Sequence, residues 1–498
     1  MTDLVKSHAP VRAVSSRAHD RPVARNAVVV AAIAGAAVWT AVVGAAAIWR
    51  HHQFLSHRYD LGNMVQAVWN TAHGRVLLTT EGETGQEIVR LGAHFDPILV
   101  LFTPAWWVYP APEALIFAQA AILASGVYPV VRLAQAHLDS QAAASLLGAW
   151  YLAFPWIVWN AFNDFHPVAL TIPLLLYCIW FLDQRRLGRF WVFAALALLC
   201  GELVGLTVAA LGVWFAIRSG RRLAGLTIAV VGIGWIVICL NVLIPLFNDD
   251  HSSRYYTLFE DVGGSPTGLL RTLVRDPGAV FAALLTAADL EYVGWLLAPT
   301  VLLALASPLM LLAVLPQLGV NLLADFWATT QPMYQYVAPL LAPLIAATIL
   351  SIGKFHRRFR PVLAAAVLGA ALLCLAMRPP VAGEQQYLFG ARESPERLTA
   401  MNQALALIPS DAPVTATNRL GAHLSARREF HDLPRRSQSD WVVIDLRDTW
   451  VAGPSVSVFG YDDRRLQGYV ARLDRDSDWK LVFSRKQVRV YARLDRID

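Results

Sequence analysis

The chain is short of charge. Only 16% of its 498 residues are Asp, Glu, Lys or Arg, against roughly 25% in soluble domains, while 56% are hydrophobic and the mean hydropathy is +0.45. That composition excludes an ordinary water-soluble domain and describes a polytopic membrane protein. Cysteine is scarce as well. Cys178, Cys200, Cys239 and Cys374 all fall in apolar segments without metal or redox spacing, so they read as small buried hydrophobes. The chain has no Gly-x-Ser-x-Gly elbow, Walker loop, Gly-rich dinucleotide fingerprint or His-Glu-x-x-His pair. Those absences argue against a serine hydrolase of the elbow type, a nucleotide-driven pump and a zincin protease. No internal repeat recurs at a fixed period. The net charge of +6 and pI near 9.2 do not point to nucleic acid. Outside the C-terminal region the basic residues gather in short clusters between apolar runs, as the positive-inside rule expects.

Those clusters set an expected topology. Residues 1–26 are polar and basic and are placed in the cytoplasm; Asn26 to Trp49 is then long enough to span. Further spans are drawn at about 114–136, 141–160 and 166–183, which bring the chain inside at Arg185, Arg186 and Arg189. The next basic cluster, Arg218, Arg221 and Arg222, must lie inside too, so an even number of crossings separates the two. Two short helices, about 190–200 and 203–217, with a tip at Gly201-Glu202, satisfy both clusters but require a thinned bilayer or a buried tip. Spans at 223–246, 291–305, 307–323 and 334–352 lead to Lys354–Arg360, and a last one at 361–377 exports the C-terminus. Residues 94–110, with three prolines, are read as an outer interfacial helix anchored by Trp106, Trp107 and Tyr109. The expected fold is a polytopic α-helical membrane protein with about eleven transmembrane helices and a small C-terminal α/β domain outside. The divisions are a tail 1–26, a membrane domain 27–378 with its first outer loop at 50–110, and the outer domain 379–498. Ala412–Thr417 and Trp441–Leu446 read as buried strands of that domain.

This topology brings several polar motifs to one side. They are the first loop with Arg58, Asp60, Asn63, Gln66, Trp69 and Asn70, then His94-Phe95-Asp96, then Asn163-Asp164-Phe165-His166-Pro167, and Glu202 at the hairpin tip. Gln331–Tyr336, with Tyr334 and Tyr336, opens a span from the same face. Asp60 also has structural readings, as a partner of Arg58 or as the cap of a helix starting at Leu61. His94, Asp96, Asp164 and His166 carry the ligand types of a divalent metal, the one cofactor to weigh. Tyr334 and Tyr336 fit an interface belt as well as a binding role.

At these residues the sequence resembles the DUF2079 family of membrane proteins of bacteria and archaea. The matching pieces are Tyr59–Asn63 with Gln66 and Trp69-Asn70, Gly92–Pro97, Asp164–Pro167, Leu315-Pro316 with Asn321–Leu323, His423–Arg427 and Trp441–Asp445. The family usually shows Lys-Glu-Asp where this chain has Gly201-Glu202-Leu203, so only Glu202 carries over. The family in turn resembles the GT-C membrane glycosyltransferases, which use polyprenyl-phosphate sugars and keep an acidic residue in the first outer loop. The resemblance implies a glycosyltransferase of the bacterial plasma membrane with Asp60 and Glu202 as catalytic carboxylates. Arg58, Asn63, Gln66, Trp69, Asn70, Tyr334 and Tyr336 would bind substrate. Sugar transfer needs a base for the acceptor hydroxyl and a cation for the leaving phosphate. Arg58, Arg90, Arg254 or the metal would supply the cation. A non-enzymatic lipid or solute transporter, and a structural membrane protein, stand as alternatives.

Overall fold

A computed structural model describes residues 17–81, 85–248, 258–259, 262–264, 266–284, 286–380, 393–435, 438–448, 450–451, 460–461 and 463–496. Arg254 lies outside them. Among the described residues, six helices are long and apolar enough to cross a bilayer: Arg25–His52, Pro112–His137, Gln141–Phe162, Arg222–Leu246, Gln335–Gly353 and Arg357–Met377. The other five expected segments are present in shorter or broken form, so the number of complete crossings is not fixed at eleven. Pro167–Asp183, Leu187–Leu198 and Val204–Ser219 are apolar helices below full spanning length. Pro277–Ala283 and Ala287–Thr300 form one pair bent by 56°, and Pro308–Leu311 and Leu315–Leu323 are split pieces of another segment. Pro167, Pro299, Pro308 and Pro316 stand in the first turns of broken pieces, where a missing backbone donor is tolerated, while the 56° bend falls where Thr286 and Asp289 cap a new helix.

The sequence's basic clusters do share one end of the bundle. Gln135 donates to the Arg25 carbonyl at 3.0 Å, His137 pairs with Asp183 at 3.0 Å, and Arg360 donates to the Leu138 carbonyl at 2.6 Å. The short hairpin Leu187–Leu198 and Val204–Ser219 rises from that end and turns at Glu202. At about 1.5 Å per residue neither arm reaches the ~30 Å of a hydrocarbon core. Its second arm is sealed against Arg222–Ile238 by facing glycines. A Cβ added at Gly205 would fall 2.3 Å from the Gly232 carbonyl oxygen, and one at Gly212 would fall 2.6 Å from that of Gly225.

The segment after Asp96 follows expectation in part. It forms an apolar helical stretch, Pro97–Val108, with Trp107 and Tyr109 exposed. Trp106 is the exception: it is buried in the main core, not at an interface.

The C-terminal residues build the expected small α/β unit. In chain order the strands are β1 Leu78–Thr80 and β2 Glu87–Val89 in the first loop, then β3 Val414–Ala416, β4 Phe430–Asp432, β5 Trp441–Asp445, β6 Trp450–Val451, β7 Gly460–Tyr461, β8 Trp479–Arg485 and β9 Val488–Arg493. Five of them form the sheet of the C-terminal unit, in the order β4-β3-β5-β9-β8. The others make two small antiparallel pairs, β1 with β2 and β6 with β7. Within the sheet β3, β4 and β5 run parallel, and β8 and β9 antiparallel. Alternation in β5 explains its central place. Val443 joins the face packed by Met401, Ala404 and Leu420, while Val442 and Ile444 join the face packed by Leu466, Tyr469 and Leu473.

Candidate functional site

The turn that carries Asp60 is a single wide π-type turn, Arg58–Gly62, running straight into the helix Asn63–Ala72. Asp60 makes no capping hydrogen bond, and the bonds of Arg58 go elsewhere, so neither structural reading of Asp60 holds. Arg58 is fully buried. It donates to Asn63, to Gln66 at 2.9 Å and to the Thr80 carbonyl at 3.4 Å, and stacks over the Phe430 ring at 4.6 Å.

Asp60 instead faces His166, whose Nε2 lies 3.2 Å from its Oδ1. The His166 Nδ1–H donates to the Asn163 carbonyl at 2.8 Å, so Nε2 donates to Asp60 when the ring is charged. Burial alone would lower the His166 pKa, but the hydrogen bond and charge of Asp60, the charge of Asp164 and the Asn163 carbonyl raise it above the ordinary value. Gln119, unremarked in the sequence, clamps this turn. It accepts from the His166 backbone N–H at 2.8 Å and donates to the carbonyls of Asn160 and Asp164 at 2.9 and 2.6 Å.

Asp164 sits at φ +46, in the left-handed region that Asp tolerates better than most residues. Two groups the sequence reading passes over hold it there. Arg50 Nη1 bonds Oδ1 at 2.8 Å, and the His57 backbone N–H bonds Oδ2 at 2.9 Å. Burial pushes the Asp164 carboxyl up, but Arg50 and His57 outweigh it and hold it well below the usual carboxylate range. The run Trp49-Arg50-His51-His52 at the mouth of an apolar helix is the available signal. Asn163 joins the last motif to this cluster by donating to Gln335 at 3.0 Å. Tyr336 packs edge-on against Phe326 at 6.0 Å, and Tyr334 edge-on against Trp327 at 5.4 Å.

The other predicted residues form a second cluster, in which both acids are buried. Arg90 binds Asp96 through Nε and Nη2 at 2.7 to 3.1 Å. Glu202, buried at the hairpin tip, accepts from the Phe95 backbone N–H at 2.9 Å and lies 3.4 Å from His94 Nδ1. The four residues read as a metal set therefore divide. His94 goes to Glu202, Asp96 to Arg90, Asp164 to Arg50 and His57, and His166 to Asp60. Among the described residues the group able to hold an ion is His57, Asp60 and Asp164, whose ligand atoms lie within 4.8 Å of one another. An ion there would share Asp164 oxygens that already accept from Arg50 and His57.

The remaining first-loop residues knit the structure. Gln66 is buried and donates to Thr80 Oγ1 and to the Arg428 carbonyl, both at 2.9 Å. Asn70, also buried, donates to the Leu78 carbonyl and accepts from Arg75, both at 2.9 Å. Trp69 stacks on His73 at 4.2 Å. The C-terminal unit closes over this loop. His423 stacks on His51 at 4.0 Å, and burial, with His51 and His52 beside it, holds the His423 pKa well below the ordinary value. Asn418 Oδ1 accepts from the Tyr59 backbone N–H at 3.1 Å.

Residues 50–476 match the family described as predicted membrane protein DUF2079, and the chain belongs to that family. It is a membrane protein with several apolar helices. No curated protein matches it by sequence. Among solved structures it is similar to ArnT from Cupriavidus metallidurans bound to undecaprenyl phosphate, with TM-score 0.48 and 12% identity over 91% of this chain and 98% of that one. The apo form of ArnT from the same organism gives TM-score 0.48 and 13% identity over 92% and 98%.

Proposed function

We propose that this protein is a membrane glycosyltransferase of the GT-C kind. It moves a sugar from a polyprenyl-phosphate donor to an acceptor hydroxyl at the end of the bundle where the C-terminal unit docks. That end faces outward from the plasma membrane, with the N-terminus in the cytoplasm, as the basic clusters at the opposite end require. The observation that carries this reading is the exposure of Asp60. Its side chain is 30% accessible, whereas those of Asp164, Asp96 and Glu202 are 1%, 4% and 1% accessible. A base must meet its substrate, and of these four carboxylates Asp60 is the one placed to do so.

In the step itself the acceptor oxygen bonds to the anomeric carbon as the bond from that carbon to the lipid phosphate breaks. The hydroxyl proton passes to Asp60, and the phosphate leaves with its charge. His166 holds the carboxylate by Oδ1. Arg58 and Arg90 are committed within the protein, so among the described residues the cation beside Asp60 is the His166 ring when charged. A divalent ion held by His57, Asp60 and Asp164 would stabilise the phosphate charge when bound. Glu202 acts on the first loop through the Phe95 backbone, as a support for the site.

The test is release of polyprenyl phosphate from a polyprenyl-phosphate sugar by the protein in nanodiscs, with and without Asp60→Asn. Binding of a non-transferable donor analogue is measured alongside. Asp60→Asn should stop release and leave analogue binding in place. Wild-type release in that variant would remove the base, and with it the enzymatic reading.

A further inference from the structure

We infer that the C-terminal α/β unit is a positioning element for Asp60, with Asn418 as its positioning residue. The inference rests on Asp60 being the base, and the geometry bears on the residues around it in the turn. Tyr59, immediately before it, gives its backbone N–H to Asn418 Oδ1 at 3.1 Å. Arg58, one residue earlier, lies under the Phe430 ring at 4.6 Å. Gly62, two residues after, touches Ser425: a Cβ there would fall 2.5 Å from Ser425 Oγ. On the opposing surface a Cβ at Gly421 would fall 2.8 Å from Arg58 Cβ and 2.6 Å from Phe430 Cζ. A glycine on each side makes room for the other side's side chains, Ser425 against Gly62 and Arg58 against Gly421, which a Cβ at either glycine would displace.

A wide turn is a poor platform by itself. The π form is rarer and less regular than an α-turn, and Asp60 receives no capping bond from within the loop. His166 fixes the carboxylate from the membrane side; the backbone beneath it is fixed from the C-terminal side. The helix Asn418–Leu424 and strand β4 do this together, since Phe430 N–H also donates to Thr80 Oγ1 at 3.3 Å. His423, stacked on His51 at 4.0 Å and tilted against Phe54 at 4.2 Å, anchors the same helix to the end of the first span. Asn418 therefore acts on the reaction through Tyr59 and the turn, without touching substrate.

Two variants of one atom's chemistry test this in the full chain. Asn418→Ala removes the acceptor for the Tyr59 N–H, while Asn418→Asp keeps an oxygen in that place. Turnover should fall about three- to tenfold in Asn418→Ala, the size expected of one hydrogen bond. KM for the donor should stay near wild type, and Asn418→Asp should restore turnover. A second arm needs no activity. In an Asp60→Cys background, with the four native cysteines buried, the rate of alkylation at position 60 should change several-fold on adding Asn418→Ala and return on adding Asn418→Asp. Unchanged alkylation and unchanged turnover in Asn418→Ala would overturn the inference, as would equal losses in both variants that follow a fall in melting temperature. A wild-type protein with no transfer activity would defeat the glycosyltransferase reading alone, and the alkylation arm would still decide this one.

Discussion

Two carboxylate clusters stand at the same end of this bundle, built from nearly the same residue types, and they differ in one respect. The cluster of Arg90, Asp96, Glu202 and His94 spends its acids internally. Asp96 takes a forked arginine at 2.7 to 3.1 Å, and Glu202 takes a backbone N–H at 2.9 Å. The cluster of Asp60, His166, Asp164, Arg50 and His57 spends one acid in the same way and leaves the other open. Asp164 is the counterpart of Asp96, paired and buried; Asp60 has no counterpart. His94 is open in the first cluster, at 52%, but both acids there are closed. A polar site of this kind announces base chemistry when an acid remains exposed after the others have been satisfied, and composition alone does not reveal which acid that is.

The comparison is tested first at Asp60. Asp60→Asn should lower transfer by about 10²–10⁴, the range for loss of a general base, with little change in melting temperature; donor turnover and thermal denaturation together report both. Asp96→Ala should do the opposite. It leaves the Arg90 guanidinium buried without its partner, at a cost of about 3–5 kcal/mol, and a detergent-solubilised variant that melted like wild type would erase the distinction between the clusters. Gln66→Ala should cost about 1–3 kcal/mol, because the Thr80 N–H, 3.1 Å away, and Arg58 lose their acceptor; calorimetry of the full chain measures it.

The smallest effect is a pH dependence, and two groups of the Asp60 cluster carry it with opposite signs. His166 has a raised folded pKa, so its pairing with Asp60 stabilises fully below the ordinary histidine value and fades as pH rises through the folded one. Asp164 has a lowered folded pKa, so its contribution is present above the ordinary carboxylate value and is lost as pH falls through the folded one. Melting temperature against pH should therefore decline on the alkaline side in wild type. Asp60→Asn should flatten that decline and leave the acid limb unchanged.

Much of this arrangement is legible in the sequence. Arginine clusters report sidedness because charge resists the bilayer, and that places Asp60, Asp164, His166 and Glu202 at one end without any structural input. The strand Trp441–Asp445 is legible because its four-residue apolar run, Trp441–Ile444, in a charged region has only a sheet centre to occupy. Roles are harder to read. Residue type alone assigns metal ligation to His94, Asp96, Asp164 and His166, but the partner of each depends on contacts between residues far apart in the chain, such as Arg50 with Asp164 and Glu202 with Phe95. Gln66 and Asn70 look like binding groups for the same reason. An amide that holds a loop and an amide that holds a ligand have the same letter. Trp106 is misplaced by sequence because an aromatic beside a membrane can face either way.

The paired glycines of the short hairpin carry a consequence of their own. Gly205 and Gly212 meet Gly232 and Gly225 at two points seven residues apart on each helix. Two fixed points on antiparallel rods remove both sliding and rotation, so the hairpin behaves as a gauge whose length cannot drift. The height of Glu202, and with it the height at which the chain turns through Phe95 and Asp96, is set by four missing methyl groups. In a solvent where apolar surfaces have no reason to seek one another, depth in the membrane is recorded here as close fit.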